Sequence, residues 1–294
     1  MIRVVRVLAP NPGPFTLEGT NTWIVGENPA IVIDPGPDDD AGHLLSVLDA
    51  AGPVAEILVT HDHPDHQPGA ERLSEATGVP YRAHRPGPGG VRLHDGEMVT
   101  AGQVGLRAMY TPGHSADHTA FFLEGEGVLF TGDAVLGRGT SVISPPEGDL
   151  NAYLRSLSDM LALEPRTIYP GHGPAVFDAQ GKLREYLEHR AQREEQVLDA
   201  LREAPKTPEE IVPGIYAQEG VPQDMFPIAA RSILAHLLKL ERDGRAVRKR
   251  PAAENRFALA EAKACERCGR PAAPHSRLCG RCSVAVLQEG PAAN

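Results

Sequence analysis

The stretch from Thr60 to His66, Thr-His-Asp-His-Pro-Asp-His, constrains what this chain can fold into more than any other part of it. It places three imidazoles and two carboxylates within seven residues, and these are the side chains that bind zinc in hydrolytic sites. Residues 56–60 before it predict a buried strand, and Gln67-Pro68-Gly69 after it predicts the start of a helix. Because rigid elements on both sides can hold ligands in a fixed geometry, we interpret this stretch as part of a metal site rather than as a polar surface loop.

The same local pattern recurs three times further along the chain. Each time, a strand-like segment is followed by a glycine turn and one side chain that can bind metal, namely His114, Asp133 and His172. Glycine allows a positive φ and a close approach of the backbone to a site. The repetition therefore predicts that several strand ends deliver ligands to one point.

In order and spacing, these residues resemble the motif set of the metallo-β-lactamase superfamily, which here reads His61-x-His63-x-Asp65-His66, His114, Asp133 and His172. The resemblance implies an α/β fold, the four-layer αβ/βα sandwich of that superfamily, with two Zn²⁺ in the active site. It also implies the ligand sets. His61, His63 and His114 would hold one ion, Asp65, His66 and His172 would hold the other, and Asp133 would bridge the two.

A closer resemblance covers about residues 8 to 260. Segments 11–23, 132–140 and 169–174 are similar to the β-lactamase-like protein 2 family, whose animal members are endoribonucleases that act on single-stranded RNA. Fungal polyketide thioesterases share much the same pattern. The resemblance therefore leaves the substrate open.

Composition and charge limit where in the cell the protein is expected and what it is expected to bind. No stretch approaches the roughly 20 apolar residues that span a bilayer, and the N-terminus lacks the apolar core of a secretory signal, so we expect a cytoplasmic protein that does not engage a membrane. The net charge is −10, with an acidic excess in residues 1–178 and a basic excess in residues 231–294. The acidic part argues against broad duplex binding, while the basic part is either a nucleic-acid contact or a solvated face.

The pattern of elements predicts a catalytic domain at residues 1–178 and a second domain at residues 179–261. In the first domain Asp34 ends a short strand and resembles the acid of the superfamily's first motif. The resemblance implies that it orients the ligand loop, and the alternative is that it only begins a turn before Pro35. The second domain shows a long helix, a capping box at Thr207, a further helix at about 228–242 and a β-hairpin, which predict a winged-helix-like module. This module either binds nucleic acid or supports the active-site rim or a homodimer contact.

All four cysteines lie in a third segment, residues 262–294, as the pairs Cys265-x-x-Cys268 and Cys279-x-x-Cys282. Paired CxxC motifs predict a small four-cysteine zinc knuckle with one structural Zn²⁺. Disulfide bonds are the alternative, and a cytosolic setting disfavours them.

The expected chemistry is hydrolysis by a hydroxide that bridges two Zn²⁺ about 3.5–4 Å apart, which together lower the pKa of water. Mn²⁺ or Fe²⁺ would also suit a His/Asp site. Asp65 is the candidate catalytic residue, because its carboxylate can accept a proton from the incoming water. His118 is expected to support a ligand or to donate a proton. The residues expected at the substrate mouth are Arg138, Thr140 and Ser141.

Three functional hypotheses remain at this point. The first is a two-zinc phosphodiesterase, by resemblance an endoribonuclease whose partner is single-stranded RNA. The second is a hydrolase of small thioesters, of the glyoxalase II or polyketide thioesterase type. The third is a nucleic-acid-binding protein with a vestigial site, which the complete ligand set disfavours.

Overall fold

The computed structural model describes residues 2–250 and 254–260, together with the backbone of residues 263–264 and 271–272. The cysteines of the predicted zinc knuckle, Cys265, Cys268, Cys279 and Cys282, lie outside the described residues. The chain forms two compact units, Met1–Arg190 and Ala191–Asn294. They divide within one long helix, and the domain limits at 178 and 261 stay predictions of the sequence.

The first unit contains two sheets. Its six-stranded sheet follows the chain order β1 (Val4–Leu8), β2 (Asn21–Gly26), β3 (Ala30–Ile33), β4 (Val54–Leu58), β5 (Tyr81–Ala83) and β6 (Val91–Arg92). Strands β1 to β3 are antiparallel, and β3 to β6 run parallel. The carboxyl ends of the parallel strands therefore share one edge of the sheet.

The second sheet has five strands. Its order is β11 (Thr167–Pro170), β10 (Val128–Gly132), β9 (Thr119–Leu123), β8 (Val104–Tyr110) and β7 (Met98–Ala101). Strands β7 to β10 are antiparallel, and β11 is parallel to β10. Consequently β8, β10 and β11 all point the same way, and their carboxyl ends meet at one end of the sheet.

The period-two alternation of each strand divides the apolar residues between two cores. In β2, Trp23 and Val25 pack with residues of the second sheet such as Leu106 and Phe121. Ile24 points to the opposite face, where α1 (Ala41–Ala51) and α2 (Pro68–Thr77) cover the first sheet. The remaining helices of this unit, α3 (Leu150–Ala162) and the first part of α4 (Ala179–Glu203), follow strands of the second sheet. This arrangement is the α/β sandwich that the sequence predicts.

The second unit is built around α5 (Pro208–Tyr216) and α6 (Phe226–Arg242), followed by the antiparallel strands β12 (Ala246–Arg248) and β13 (Phe257–Leu259). Thr207 caps α5 as expected: its side chain accepts from the backbone of Glu210, whose carboxylate accepts from the Thr207 backbone at 2.9 Å. Apolar residues three or four apart on α6, such as Ile233 and Leu237, are buried in the core of this unit. Two helices and a hairpin in this order form the predicted winged helix. A further short antiparallel pair joins Lys263–Ala264 to Pro271–Ala272.

No helix among the described residues is both long enough and apolar enough to cross a lipid bilayer.

We expect Gly113→Ala to destabilise the first unit strongly. Gly113 has a φ of +140°, and a Cβ there would lie 2.4 Å from the backbone nitrogen of Tyr153 on α3. The combined strain and overlap should lower the free energy of unfolding by about 3 kcal/mol or more. Trp23 is the one tryptophan of the chain and is buried in this unit, so urea unfolding followed by its fluorescence measures the effect.

Gly125→Ala is the matched control, because a Cβ at that position meets no atom within 4 Å. Equal unfolding midpoints for the two variants would contradict the described packing of the loop before His114.

Candidate metal centre

The side chains that the sequence singles out follow the carboxyl ends of four strands. His61, His63, Asp65 and His66 lie in the loop after β4 of the first sheet. From the second sheet, His114 follows β8, Asp133 follows β10 and His172 follows β11. A hydrogen bond from the Thr119 nitrogen to the Thr60 carbonyl, 2.8 Å long, joins the two sheets at this end. All seven side chains therefore meet where the sheets come together.

Four of them form the first group: His61, His63, His114 and Asp133, with ligand atoms within 4.8 Å of one another. Nε2 of His61 lies 2.8 Å from Nδ1 of His63, which lies 3.3 Å from Nε2 of His114. Oδ2 of Asp133 is 3.7 Å from the same His114 nitrogen. Three imidazole nitrogens and a carboxylate oxygen thus converge on one point.

Asp65, His66 and His172 form the second group. Nε2 of His172 lies 3.3 Å from Nε2 of His66 and 3.2 Å from Oδ2 of Asp65. Asp133 reaches this group with its other oxygen, because Oδ1 lies 3.5 Å from the His66 nitrogen and 3.3 Å from the His172 nitrogen. That buried oxygen accepts no well-aligned hydrogen bond from the described residues. Asp133 therefore offers one oxygen to each group, as a bridging ligand would.

The ring nitrogens on the far side of the five histidines all meet acceptors. The pairs are His61 Nδ1 with Thr60 Oγ1 (2.9 Å), His63 Nε2 with Glu147 Oε1 (3.2 Å), His66 Nδ1 with Asp34 Oδ2 (2.9 Å), His114 Nδ1 with the Val142 carbonyl (3.1 Å) and His172 Nδ1 with the Gly19 carbonyl (3.1 Å). These partners assign an N–H to the outer nitrogen of each ring, so that in the neutral ring the inner nitrogen presents a lone pair. Several lone pairs that face one another at about 3 Å repel one another, and a cation between them would remove this repulsion.

Asp34 lies directly behind both groups. Its Oδ1 accepts from the Thr60 nitrogen at 2.7 Å, and its Oδ2 accepts from the Thr60 hydroxyl at 2.8 Å and from His66. Because the Thr60 hydroxyl donates to Asp34, its lone pair is free to accept from His61. One buried carboxylate thus orients a histidine of each group, which is the supporting role expected from the sequence.

Burial governs protonation in the first group. It lowers the pKa of His61 well below the usual range, and the neighbouring imidazoles lower it further. For His114, burial outweighs the attraction of Asp133 and brings the pKa to about 4. Both rings are therefore neutral near pH 7, the form that binds metal.

Carboxylates govern protonation in the second group. Burial alone would lower the pKa of His66 and His172, but Asp65 and Asp133 outweigh it, with Asp34 adding its effect on His66. They raise the pKa of His66 well above its usual value and that of His172 to about 9. In turn, these imidazoles hold the pKa of both carboxylates far below the usual range in spite of burial. The carboxylates stabilise positive charge at this point, so a proton and a divalent cation compete for the imidazole nitrogens.

The donor set fits a divalent transition metal. It consists of imidazole nitrogens and carboxylate oxygens in two adjacent groups that share one carboxylate. Zn²⁺ takes these ligands, and sites of this composition also accept Mn²⁺ or Fe²⁺.

His118 is close to the centre but does not face it. Its Nε2 accepts a hydrogen bond from the Asp133 nitrogen at 3.2 Å, and its Nδ1 lies 2.9 Å from the Thr111 hydroxyl. The ring is fully buried. With both nitrogens engaged, His118 fixes the backbone of the Asp133 loop, and the structure favours this role over proton donation.

Of the three residues expected at the substrate mouth, Ser141 does not lie there. It is buried, and its hydroxyl donates to the Asp133 carbonyl. Its own carbonyl accepts from Arg190 at 2.5 Å. Ser141 therefore holds the Asp133 loop in place instead of lining the mouth, and Tyr153 assists by donating to the Ala134 carbonyl at 2.6 Å.

The other two residues of this set lie nearer the surface. Arg138 is exposed and forms an ion pair with Glu18, and Thr140 is partly exposed.

Two residues of the site were not identified from the sequence. Glu147 fixes the ring of His63, and Thr20 donates to Oδ2 of Asp65 at 3.0 Å. Both come from loops whose sequence shows no metal-binding pattern. Only the place of Thr20 within segment 11–23 could have drawn attention to it.

Comparison with known proteins agrees with this geometry. The model of the Metallo-beta-lactamase superfamily matches residues 15–89 and 84–172, and that of the Beta-lactamase associated winged helix domain matches residues 207–253.

Individual relatives cover most of the chain. A Beta-lactamase-like protein 2 homolog from Drosophila melanogaster is 34% identical over 82% of this chain and 89% of its own. An Atrochrysone carboxyl ACP thioesterase from Aspergillus chevalieri is 36% identical over 82% of each chain. Among solved structures, a beta-lactamase domain protein from Burkholderia ambifaria superposes with a TM-score of 0.76 at 26% identity, over 88% of this chain and 91% of that one.

We expect Asp34→Asn to weaken metal binding about 10- to 100-fold, because an amide nitrogen cannot accept from His66 and the ring loses its fixed orientation. Competition with a chelating dye, followed by elemental analysis, measures the affinity. Asp62→Asn is the control, since Asp62 belongs to the same loop but is exposed and lies in neither group. Equal affinities for the two variants would show that Asp34 does not orient the ligands.

Proposed function

The chain belongs to the metallo-beta-lactamase superfamily, and we propose that it is a two-zinc hydrolase that cleaves phosphodiester bonds in single-stranded RNA. The observation that carries the proposal is the position of Asp133, which offers one carboxylate oxygen to each of two groups of histidines whose outer nitrogens are all engaged. Such a shared carboxylate suits two ions at the short separation found in hydrolytic centres.

Zinc is the metal we propose for both groups, because imidazole nitrogen and carboxylate oxygen without sulfur are common ligands of hydrolytic zinc. When bound, such ions supply Lewis acidity and a water activated at neutral pH. The third Zn²⁺ of the proposal belongs to the four cysteines of the tail. Elemental analysis of Cys265→Ala/Cys268→Ala beside the unmodified protein separates this ion from the two others.

The residues of the chain have separable roles in this proposal. Asp65 receives the proton of the attacking water, because it is the more exposed carboxylate of the centre, with 24% of its side chain accessible against 13% for Asp133. Thr20 holds Asp65 in position through its hydroxyl. Glu147 and Asp34 keep the rings of His63 and His66 turned toward the centre.

RNA as the substrate is supported by the resemblance to the β-lactamase-like protein 2 family and by the winged helix in the same chain, a module that often contacts nucleic acid. The second candidate is thioester hydrolysis. It is favoured by the fungal thioesterase relative, which spans the same share of this chain. A purely binding role would not need a complete set of metal ligands.

We expect zinc-loaded protein to cleave single-stranded RNA and to leave acyl-thioesters of short acids and of coenzyme A intact. His63→Ala removes a ligand of the first group and should lower RNA cleavage by about a hundredfold or more. His94→Ala is the control, because His94 is exposed and outside both groups. Cleavage is measured with a 5′-labelled oligonucleotide.

Turnover of thioesters without cleavage of RNA would replace the first proposal by the second. Salt-sensitive RNA binding without any turnover would reject both in favour of a binding protein.

A further inference from the structure

We propose that the backbone of the RNA substrate is bound beside the metal loop by a surface formed by His84, Arg85, Arg92 and Tyr110, named here the arginine lip. The proposal rests on the proposed function and identifies where the nucleotides flanking the scissile phosphodiester lie. None of these four residues belongs to either metal-binding group.

His84, Arg85 and Arg92 lie at the same edge of the first sheet as the ligand loop after β4, and Tyr110 ends β8 of the second sheet. Strand β5 is parallel to β4, and the Val59 nitrogen donates to the Arg82 carbonyl at 3.0 Å. The chain leaves β4 into the ligand loop and leaves β5 into His84 and Arg85. Because neighbouring strands lie about 4.8 Å apart, the two loops emerge side by side. Strand β6 places Arg92 directly opposite Ala83, next to His84.

A chain of contacts connects the arginine lip to the loop between His61 and His63. The Asp62 nitrogen donates to Oδ2 of Asp117 at 3.0 Å. Tyr110 donates its hydroxyl to the adjacent Ala116 carbonyl at 2.7 Å. The ring of His84 stacks on that of Tyr110 with centroids 4.2 Å apart and planes 15° apart. Both rings are partly exposed, so a flat aromatic surface borders the metal loop.

Arg85 and Arg92 are exposed, and neither has a carboxylate partner among the described residues. The exposed side chains of Arg72 and Arg138 form ion pairs, whereas Arg166, which is exposed and also has none among the described residues, lies at the far end of the second sheet from the metal ligands. An exposed guanidinium without a counter-ion is ready to bind a phosphate through paired hydrogen bonds.

The acidic groups that face His84 are already engaged. Asp117 is buried and accepts from Asp62 and from the Ser115 hydroxyl. Asp95 accepts from the Tyr110 nitrogen at 2.8 Å. Neither carboxylate forms an ion pair with Arg85 or Arg92, so both guanidinium groups stay available to a phosphate.

Two guanidinium groups beside a stacked aromatic pair are the elements of single-stranded nucleic-acid binding, in which cations follow the phosphates and rings stack on the bases. A thioester of a short acid that has neither a phosphate nor an aromatic ring would use neither. The same surface adjoins the metal loop, where the scissile bond must lie.

The double variant Arg85→Gln/Arg92→Gln tests the phosphate contacts. With zinc-loaded full-length protein, we expect kcat/KM for a 12-nucleotide RNA to fall about tenfold, mainly through KM, and the slope of log(kcat/KM) against log[salt] to lose about 1.4. Turnover of bis(4-nitrophenyl) phosphate, which has no phosphate besides the scissile one, should stay within about twofold of the unmodified protein.

Arg166→Gln is the matched control. Arg166 is exposed and has no ion pair among the described residues, but it precedes β11, whereas His172 follows this strand, so it lies at the opposite end of the sheet. Its RNA kinetics should equal those of the unmodified protein. Urea unfolding followed by Trp23 fluorescence verifies that all variants keep their fold.

His84→Ala tests the stacking contact. We expect about a tenfold loss in kcat/KM with the 12-nucleotide RNA and none with an abasic ribose-phosphate oligomer of the same length.

If the unmodified protein cleaves RNA and the double variant matches Arg166→Gln in KM and salt slope, the arginine lip is rejected and the proposed function stands. If the unmodified protein cleaves no RNA, the proposed function itself fails, and the proposal for the lip fails with it.

Discussion

The buried carboxylate of Asp34 is the contact on which the rest of the centre depends. It accepts from the backbone and hydroxyl of Thr60 and from His66, and through Thr60 it fixes His61. A histidine from each metal-binding group is thereby held by a single acid. A carboxylate that accepts three short hydrogen bonds fixes all three donors, so the two groups share one orientation rather than two independent ones.

Several hydrogen bonds likewise hold the loop that carries Asp133. His118 accepts from its nitrogen, Ser141 donates to its carbonyl, and Tyr153 binds the next carbonyl. Arg190 on α4 binds the carbonyl of Ser141. These contacts place a ligand that must serve both groups. They also explain why Ser141 is buried rather than exposed at the mouth.

The sequence predicted the sandwich, the winged helix and all the side chains that converge at the centre, because strand periodicity and the spacing of His and Asp are local signals. The role of Asp34 was accessible through its resemblance to the acid of the superfamily's first motif. Ser141 was misplaced because a serine after a glycine-rich turn carries no signal of burial. Glu147 and Thr20 were missed because their roles arise from chain segments brought together across 84 and 45 residues of sequence. Contacts of that kind depend on tertiary structure and have no local pattern.

The delivery of ligands from both sheets has a consequence for the life of the protein in a cell. Only the assembled sandwich brings together donors that lie far apart in sequence, such as His66 and His172, which are 106 residues apart, so the unfolded chain cannot compete for the ions as a set. By mass action, each tenfold rise of free metal above its dissociation constant then adds about 1.4 kcal/mol to the stability of the folded state. Metal starvation would therefore first shorten the lifetime of the protein, because the apo chain is degraded. Loss of turnover would be the secondary effect.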